Sequence, residues 1–370
     1  MRIAFYAPIK PPDHPIPSGD RLIAGNLIKA LKLAGFKVEL ASRYIAYSKR
    51  SNDEILQQKK IGALAEAADL ILKYQALSPS VRPQIWITYH PYCKAPDWIG
   101  PTVAHALEIP YVTIEACKTG QGEQWLPWRK EAQAGIKLAD LHLWFKPTDY
   151  QYLSELLGST EQLCAIPPFI DLEKLQDGEA AELPKAWDRK IPVIVTVGMM
   201  RKGKKDHNFT LMAKILEDMQ DQPWNMVIVG GGPEEDAVRE AFSTISAERL
   251  FWCGQVPSSE VTGYMKASDI FIWPGWKEPI GMVYLEAASS GLPIVAFDNM
   301  GVPLVVNHEK TGFLAPLDDL DQFRAHLKTL LNNVGLRREM GDTAKIFVQD
   351  ERSINAAVSK LKSCLAGLAL

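Results

Sequence analysis

A chain of 370 residues is too long for one ordinary hydrophobic core, so two domains of about 100–200 residues each are expected. Apolar residues make up 47% and charged residues 23%, the balance of a packed globular protein, and a net charge of -3 lacks the concentrated basic excess of a nucleic-acid-binding domain. No stretch approaches the ~18 consecutive apolar residues that a membrane-crossing helix needs. The N-terminal MRIAFYAPIK is too short for a signal peptide, and no cleavage site follows it. Cys93, Cys117, Cys164, Cys253 and Cys364 form no Cys-x-x-Cys pair; such an odd, scattered set is expected to remain as reduced thiols in a cytoplasmic protein. No metal site is expected, because His105 and His142 stand alone and Asp318, Asp319 and Asp321 have no histidine or cysteine beside them.

In chain order, RIAFYA reads as a strand, RLIAGNLIKALKLAG as a helix and KVELAS as the next strand. QIWITY follows, then a helix through VAHALE, the strand YVTIEA, and a helix before LHLWF. The pattern restarts at PVIVTVG, with a helix through FTLMAKILEDM, then NMVIVGGG, a helix through EEDAVREAFS, and LFWCG. A helix with YMKAS precedes DIFIWP, and LPIVAF follows the helix MVYLEAASS. This alternation predicts βαβ units, hence parallel sheets covered by helices on both faces. VIVTV and MVIVG, almost continuously apolar, fit strands buried on both sides. The predicted fold class is therefore α/β, with two doubly wound Rossmann-like domains. Residues 1–168 form the first and 191–352 the second. The charged, aperiodic stretch 169–190 links them, and a helix over 353–370 packs back towards the N-terminal domain.

In such sheets ligands bind where strands end, so the loops after strands hold the candidates. Glu278 opens a Pro-Ile-Gly turn and Glu286 lies inside a helical stretch. Seven residues separate them, about two helical turns, which would bring both carboxylates to one site at a helix N-terminus. That end of a helix also suits phosphate, so the pair fits a ligand rich in hydroxyls that carries phosphate, such as a nucleotide sugar. In MMRKGKKD, the cations Arg201, Lys202, Lys204 and Lys205 sit where a diphosphate could be neutralised, one Arg and one Lys being enough. Gly231, inside GGGP, reads as a tight strand-to-helix turn rather than a dinucleotide fingerprint. The loop PIKPPDHPIPSGDR is long for a connection, and its Ser18 and Gly19 would let backbone approach a ligand. His90 and Glu115 each end a strand and compete for one role, hydrogen-bonding a sugar or moving a proton. Trp125 and Trp128 beside Arg129 and Lys130 form an aromatic and basic patch that could cover an acceptor or touch an anionic membrane surface.

Taken together, these residues resemble the GT-B glycosyltransferases, specifically retaining enzymes of glycosyltransferase family 4. The resemblance rests on EPIGMVYLEAASSGLPIVAFDNMGVPLVVNHEKTGFLAP and on FWCGQVPSSEVTGYMKASDIFIWPGWKE before it. It departs from the family pattern where Met199, not Arg, follows Gly198, and where Lys310 replaces a glycine. The resemblance implies a hexose transferred with retention from a nucleotide-diphosphate sugar to an acceptor hydroxyl on a glycan, lipid or small molecule. Glu278 would meet the sugar hydroxyls and Glu286 the ribose. Gly281 and Met282 would offer backbone N–H groups, Gly19 would lie near the phosphates, Val256 near the base, and Arg201 with Lys204 or Lys205 would hold the diphosphate. The leaving phosphate would take the acceptor proton, with no metal and no cofactor beyond the donor, while the two domains close over it. His90 or Glu115 would serve on the acceptor side, in loops HPYCKAPDWIG and ACKTGQGEQWLPW. Two alternatives share the scaffold: a sugar-nucleotide epimerase or hydrolase, and a non-catalytic nucleotide-sugar-binding subunit. No nucleic-acid partner is expected; a cytoplasmic location is, and the tryptophan stretch reads either as a partly buried loop or, for a lipid acceptor, as a peripheral contact at the inner face of the membrane.

Overall fold

The computed structural model describes residues 1–16, 18–118, 122–175 and 179–368. Pro17 of the first loop, Thr119, Gly120 and Gln121 of the loop before Trp125, and Gln176 to Gly178 lie outside the described residues. The chain divides into two units, Met1–Pro167 with Ile354–Leu370, and Pro168–Ser353.

The first unit runs β1 (Arg2–Tyr6), α1 (Gly19–Leu33), β2 (Lys37–Ser42), α2 (Asp53–Gln75), β3 (Ile85–Tyr89), α3 (Ile99–Leu107), β4 (Tyr111–Ile114), α4 (Leu126–Ile136), β5 (Leu141–Trp144), α5 (Pro147–Leu157) and β6 (Leu163–Ala165). Its strands are parallel in the order β2-β1-β3-β4-β5-β6. Successive strands wind one way from β1 to β2 and the other way from β3 on, so the order reverses between β1 and β3. β3 is buried along its whole length, as its run of Ile, Trp and Tyr requires. Asp97, just before the N-cap Trp98 of α3, accepts from the N–H groups of Ile99 and Gly100 at 2.9 and 2.8 Å, satisfying two of the helix's first donors. Its other oxygen accepts from Thr88 and Tyr111, so this buried carboxylate is fully bonded.

Trp125 and Trp128 belong to the core of this unit. Trp128 is fully buried, with Trp98 at 6.4 Å and Trp125 at 5.8 Å between ring centroids. Both indoles are buried, because each removes a large apolar area from water, so the reading of this stretch as a membrane-touching aromatic patch gives way to that of a packed segment. Among the described residues, no helix is long and apolar enough to cross a membrane.

The second unit runs β7 (Val193–Val197), α6 (Lys204–Glu217), β8 (Asn225–Val229), α7 (Glu235–Ala241), β9 (Leu250–Gly254), α8 (Ser258–Lys266), β10 (Ile270–Ile272), α9 (Met282–Ser289), β11 (Ile294–Asp298), β12 (Gly312–Pro316), α10 (Leu320–Asn332) and α11 (Val334–Glu351). Its parallel sheet has the order β12-β11-β10-β7-β8-β9, with the reversal between β7 and β10. The stretch before β7 packs on this unit. Ile170 pairs with Ser353, Ala181 N–H reaches Gly263 at 2.9 Å, and the Trp187 indole reaches Glu248 at 2.8 Å.

The chain ends in α12 (Ile354–Ala366), which packs against α1 of the first unit. Cys364 on α12 forms a disulfide with Cys164 on β6, at a sequence separation of 200 and with 6.1 Å between their Cα atoms. The expectation of five free thiols is thus corrected; only the return of the chain to its first unit makes these two cysteines neighbours. Cys93, Cys117 and Cys253 are free.

Candidate functional site

In the second unit, the segments that leave β7 and β10 flank the reversal of strand order, the place where an open parallel sheet forms a crevice. Gly281 caps α9 in the left-handed region, at φ 75. A Cβ there would meet the Tyr284 ring at 2.5 Å and the Glu278 Cγ at 3.1 Å, so only glycine brings the turn this close to the helix start. Tyr284 supports the turn from below, its hydroxyl donating to the Trp273 carbonyl at 3.0 Å. Burial, and then the charge of Glu278, push the Tyr284 hydroxyl far above its usual range.

Glu278 therefore precedes the helix, whereas Glu286 is the fifth residue within it. The spacing is a turn followed by little more than one helical turn, not the two helical turns expected from the sequence. Glu278 accepts from the Lys205 ammonium at 2.8 Å. That ammonium also lies 4.9 Å above the Trp273 ring, which adds a cation–π attraction. Glu286 is half-buried, and among the described residues its carboxylate has no hydrogen-bond or ion-pair partner. Burial pushes it up to about 7. The amide of Met282 begins α9, one of the first N–H groups of a helix, which have no acceptor inside it.

Among the described residues, Lys205 is the one of the four cations after β7 whose charge meets an acidic partner; it stands in the first turn of α6. Arg201 is exposed and its guanidinium rests on the Met199 sulfur at 2.8 Å. Lys202 and Lys204 are exposed. Gly230 and Gly232, at φ 131 and 152, pass directly over the loop that follows β7. A Cβ on either would meet the carbonyl oxygens of Gly198 or Met200 at 1.9 and 2.3 Å. Met200 N–H donates to Gly231 at 3.0 Å, so the glycine turn clamps the cationic loop against β8. Gly231 itself faces Glu235 and Gln255, at 3.1 and 3.5 Å from where its Cβ would stand. Val256, half-buried, joins β9 to α8.

In the first unit, Gly19 opens α1 behind the N-cap Ser18, whose hydroxyl accepts from Arg21 N–H at 3.3 Å. Among the described residues, nothing beyond its chain neighbours lies within 4 Å of a Cβ placed on Gly19. Asp20 follows it, in the first turn. His90 and Glu115 extend β3 and β4 and both adopt positive φ, 60 and 57, a conformation that costs non-glycine residues about 1–3 kcal/mol each. Their N–H groups still bond across the sheet, to Ile114 and Leu143 at 2.7 and 2.8 Å. Two adjacent strand ends thus curl alike, which brings the side chains together.

There His90 Nδ1 lies 3.0 Å from Asp20 Oδ1 and 4.0 Å from Glu115 Oε2, and its Nε2 lies 3.5 Å from Cys117 Sγ. Glu115 accepts from the Lys146 ammonium at 2.7 Å and the Tyr89 hydroxyl at 3.1 Å. The side chain of His90 keeps 18% of its surface exposed and that of Glu115 only 4%. Burial alone would lower the His90 imidazolium, but Glu115, Cys117 and Asp20 outweigh it and raise His90 well above its usual range. For Asp20, burial is likewise overcome: the bond to His90 and its charge hold the carboxyl below the usual carboxylate range. Asp149, 3.2 Å from Lys146, is pushed up to about 6, chiefly by burial.

Among the described residues, no group of three or more His, Cys, Asp or Glu side chains is arranged to hold a metal ion. Sequence reasoning missed Asp20, Cys117 and Lys146. An acidic residue in a first helical turn is common for dipole reasons alone, and nothing local marks the other two.

Residues 180–347 match the family of glycosyl transferases group 1. That span holds both glutamates, Lys205 and the glycine turn. An uncharacterized glycosyltransferase of Haemophilus influenzae is 32% identical over 129 residues, 34% of this chain and 36% of that protein. The chain spans 36% to 57% of the length of the first curated relatives it matches. In structure it is similar to sucrose-phosphate synthase from Thermosynechococcus elongatus, with TM-score 0.70, 18% identity, and coverage of 98% of this chain and 97% of that one. It is also similar to the Anabaena protein HepE in complex with UDP, with TM-score 0.69, 15% identity and full coverage of both chains. The fold is GT-B.

Proposed function

We propose that this protein is a retaining glycosyltransferase that moves a hexose from a nucleotide-diphosphate sugar to an acceptor hydroxyl. The observation that carries the reading is the Lys205–Glu278 ion pair, 2.8 Å, beside the N-terminus of α9. A donor that places its diphosphate on Lys205 and its sugar on Glu278 would replace one salt bridge by two charge-assisted contacts. Glu286, without a partner, is suited to accept from both ribose hydroxyls. The N–H groups around Gly281 and Met282, with Arg201, complete the positive surroundings of the diphosphate. On this reading the charge of the leaving diphosphate meets ammonium, guanidinium and helix N–H groups, so the reaction is metal-independent. Val256 lies near the base and Gly231 shapes the loop that carries Arg201.

Gly19, at the N–H end of α1, is assigned to phosphate contact; the open space around its Cα is consistent with a ligand rather than the chain requiring glycine. His90, charged and held by Asp20, contributes positive potential on the acceptor side, while Glu115 fixes Lys146 beneath it. The leaving phosphate oxygen takes the proton of the attacking hydroxyl on the same face of the sugar, so no separate protein base is needed. The cytoplasmic location is part of this proposal, and a glycan, lipid or small molecule can serve as acceptor.

Glu278→Gln and Lys205→Ala, assayed by mass spectrometry against a panel of nucleotide sugars with and without lipid extract, test it. Each is expected to lower transfer by about a hundredfold, in line with loss of a charged transition-state contact. Unchanged transfer in Glu278→Gln would remove that residue from the site. If Arg201→Ala abolishes donor binding while Lys205→Ala leaves it intact, the cation assignment is wrong.

A further inference from the structure

We infer that Asn208 is the positioning residue that sets Lys205 and Glu278 at their working distance; the inference rests on the donor-site reading above and deepens it. Asn208 is the fifth residue of α6, one turn beyond Lys204 and Lys205, and only 1% of it is exposed. Asparagine is a poor helix former, and a buried amide is costly unless its hydrogen bonds are made. Here they are made. The Asn208 amide nitrogen donates to the carbonyls of Lys204 at 2.6 Å and Trp276 at 3.2 Å, and its oxygen accepts from the Trp276 N–H at 2.8 Å.

The pair of bonds to Trp276 imitates a backbone ladder and joins residues 68 apart in sequence. Trp276 stands two residues before Glu278, and Lys205 three residues before Asn208. A closed ring results: Lys205, one turn of α6, Asn208, the backbone of Trp276, Glu278, and back through the 2.8 Å ion pair to Lys205. The same helix also holds the Trp276 indole, whose centroid lies 4.3 Å from that of His207.

The turn needs such support. Gly275, Lys277 and Gly281 all adopt positive φ, at 77, 53 and 75. Its other side is tied by Asn299, whose amide donates to the Gly275 carbonyl at 2.9 Å. Asn299 fixes the turn to the end of β11; Asn208 fixes it to the helix that carries the phosphate cation. Without Asn208, Glu278 and Lys205 retain their charges but lose their shared frame, and a flexible ion pair on a surface contributes little.

Two measurements on Asn208→Ala, and on Asn208→Leu, which keeps the branching at Cγ should the alanine variant fail to fold, decide the matter. Hydrogen–deuterium exchange of the ligand-free protein should show residues 275–281 exchanging at least about tenfold faster, the factor for losing one well-made hydrogen bond, with β7 and β8 unchanged. Titration with UDP-glucose should show affinity about tenfold weaker than in the native protein. Glu278→Gln should then add less than about twofold in the Asn208→Leu background against about tenfold in the native one, because coupled residues do not act additively. Exchange within twofold of native, or losses from Asn208 and Glu278 that simply multiply, would overturn the assignment. If the native protein binds neither UDP nor UDP-glucose nor any other nucleotide sugar, the functional reading falls, and the exchange measurement still decides whether Asn208 holds the turn.

Discussion

Glu286 is the residue whose chemistry makes the sharpest demand on solution conditions. Its folded carboxyl titrates at about 7 rather than 4.5, so near neutrality it is partly protonated in the ligand-free protein. Both oxygens of the carboxylate accept from a ribose diol, whereas the protonated form turns one oxygen into a donor, so donor binding should strengthen as pH rises through 7 and weaken by up to about tenfold per unit below it. Glu286→Gln should abolish that dependence; an unaltered pH profile of donor Kd would exclude Glu286 from the contact. The linkage also has a sign for stability. A raised carboxyl binds its proton more tightly folded than unfolded, so its effect favours folding below 4.5 and is lost between 4.5 and about 7. Glu286→Gln should accordingly raise the melting temperature at pH 8 more than at pH 5, the shift corresponding to at most about 3 kcal/mol. At this scale Glu278 and Lys205 were legible in the sequence because each stands in a local pattern, a Pro-Ile-Gly turn or a cationic loop at a strand end. Asn208 and Asp20 were not. Their partners, Trp276 and His90, lie 68 and 70 residues away, and no periodicity encodes a bond across that distance.

Among the elements, the glycine turn after β8 and the start of α1 place glycines in opposite surroundings, one crowded and one open. Gly232 has φ 152 and no room for a Cβ, so Gly232→Ala should destabilise the second unit by about 1–3 kcal/mol and lower its melting temperature. Gly19 has open space around it, so Gly19→Ala should leave the melting temperature within about 1 °C. It should still weaken nucleotide-diphosphate binding by about tenfold if phosphate approaches that backbone. A fall in melting temperature without loss of binding would make Gly19 structural. Most strands were legible, because parallel strands buried on both faces read as continuous apolar runs: VIVTV, NMVIV and IWITY form β7, β8 and β3. α2 was not recognised, although Asn52 caps it and it runs for 23 residues. Ile61 and Leu72 point outward from it, each 67% exposed, so its apolar residues do not fall on one face and the helical period is blurred. The two-turn spacing expected of Glu278 and Glu286 failed for a related reason. α9 begins only after the positive-φ Gly281, so Glu278 lies in the turn before it, and sequence spacing alone assumes one continuous helix.

For the molecule as a whole, two βαβ units were legible from the restart of the strand–helix alternation after residue 190, whereas the closing of the first unit by its own C-terminus through a disulfide was not. Cysteine spacing along the chain is silent about which elements return to each other, and β6 and α12 meet only in the folded unit. Cys164 and Cys364 enclose a 200-residue separation, and in chain-entropy terms a bridge of that span contributes about 2–5 kcal/mol. Cys364→Ser, or reductant added to the native protein, should therefore lower the melting temperature of the first unit alike; no difference between oxidised and reduced protein would mean that the bridge does not form in solution. The proposed function, at this scale, is transfer with retention by a donor clamp in the second unit. The most direct measurement is the anomeric configuration, by NMR, of the product formed from a nucleotide sugar in the presence of glycan and lipid acceptors. A glycoside with the donor's own configuration, lost in Glu278→Gln, is the expected result. An inverted linkage, or conversion of the donor at the same rate with no acceptor present, would contradict it.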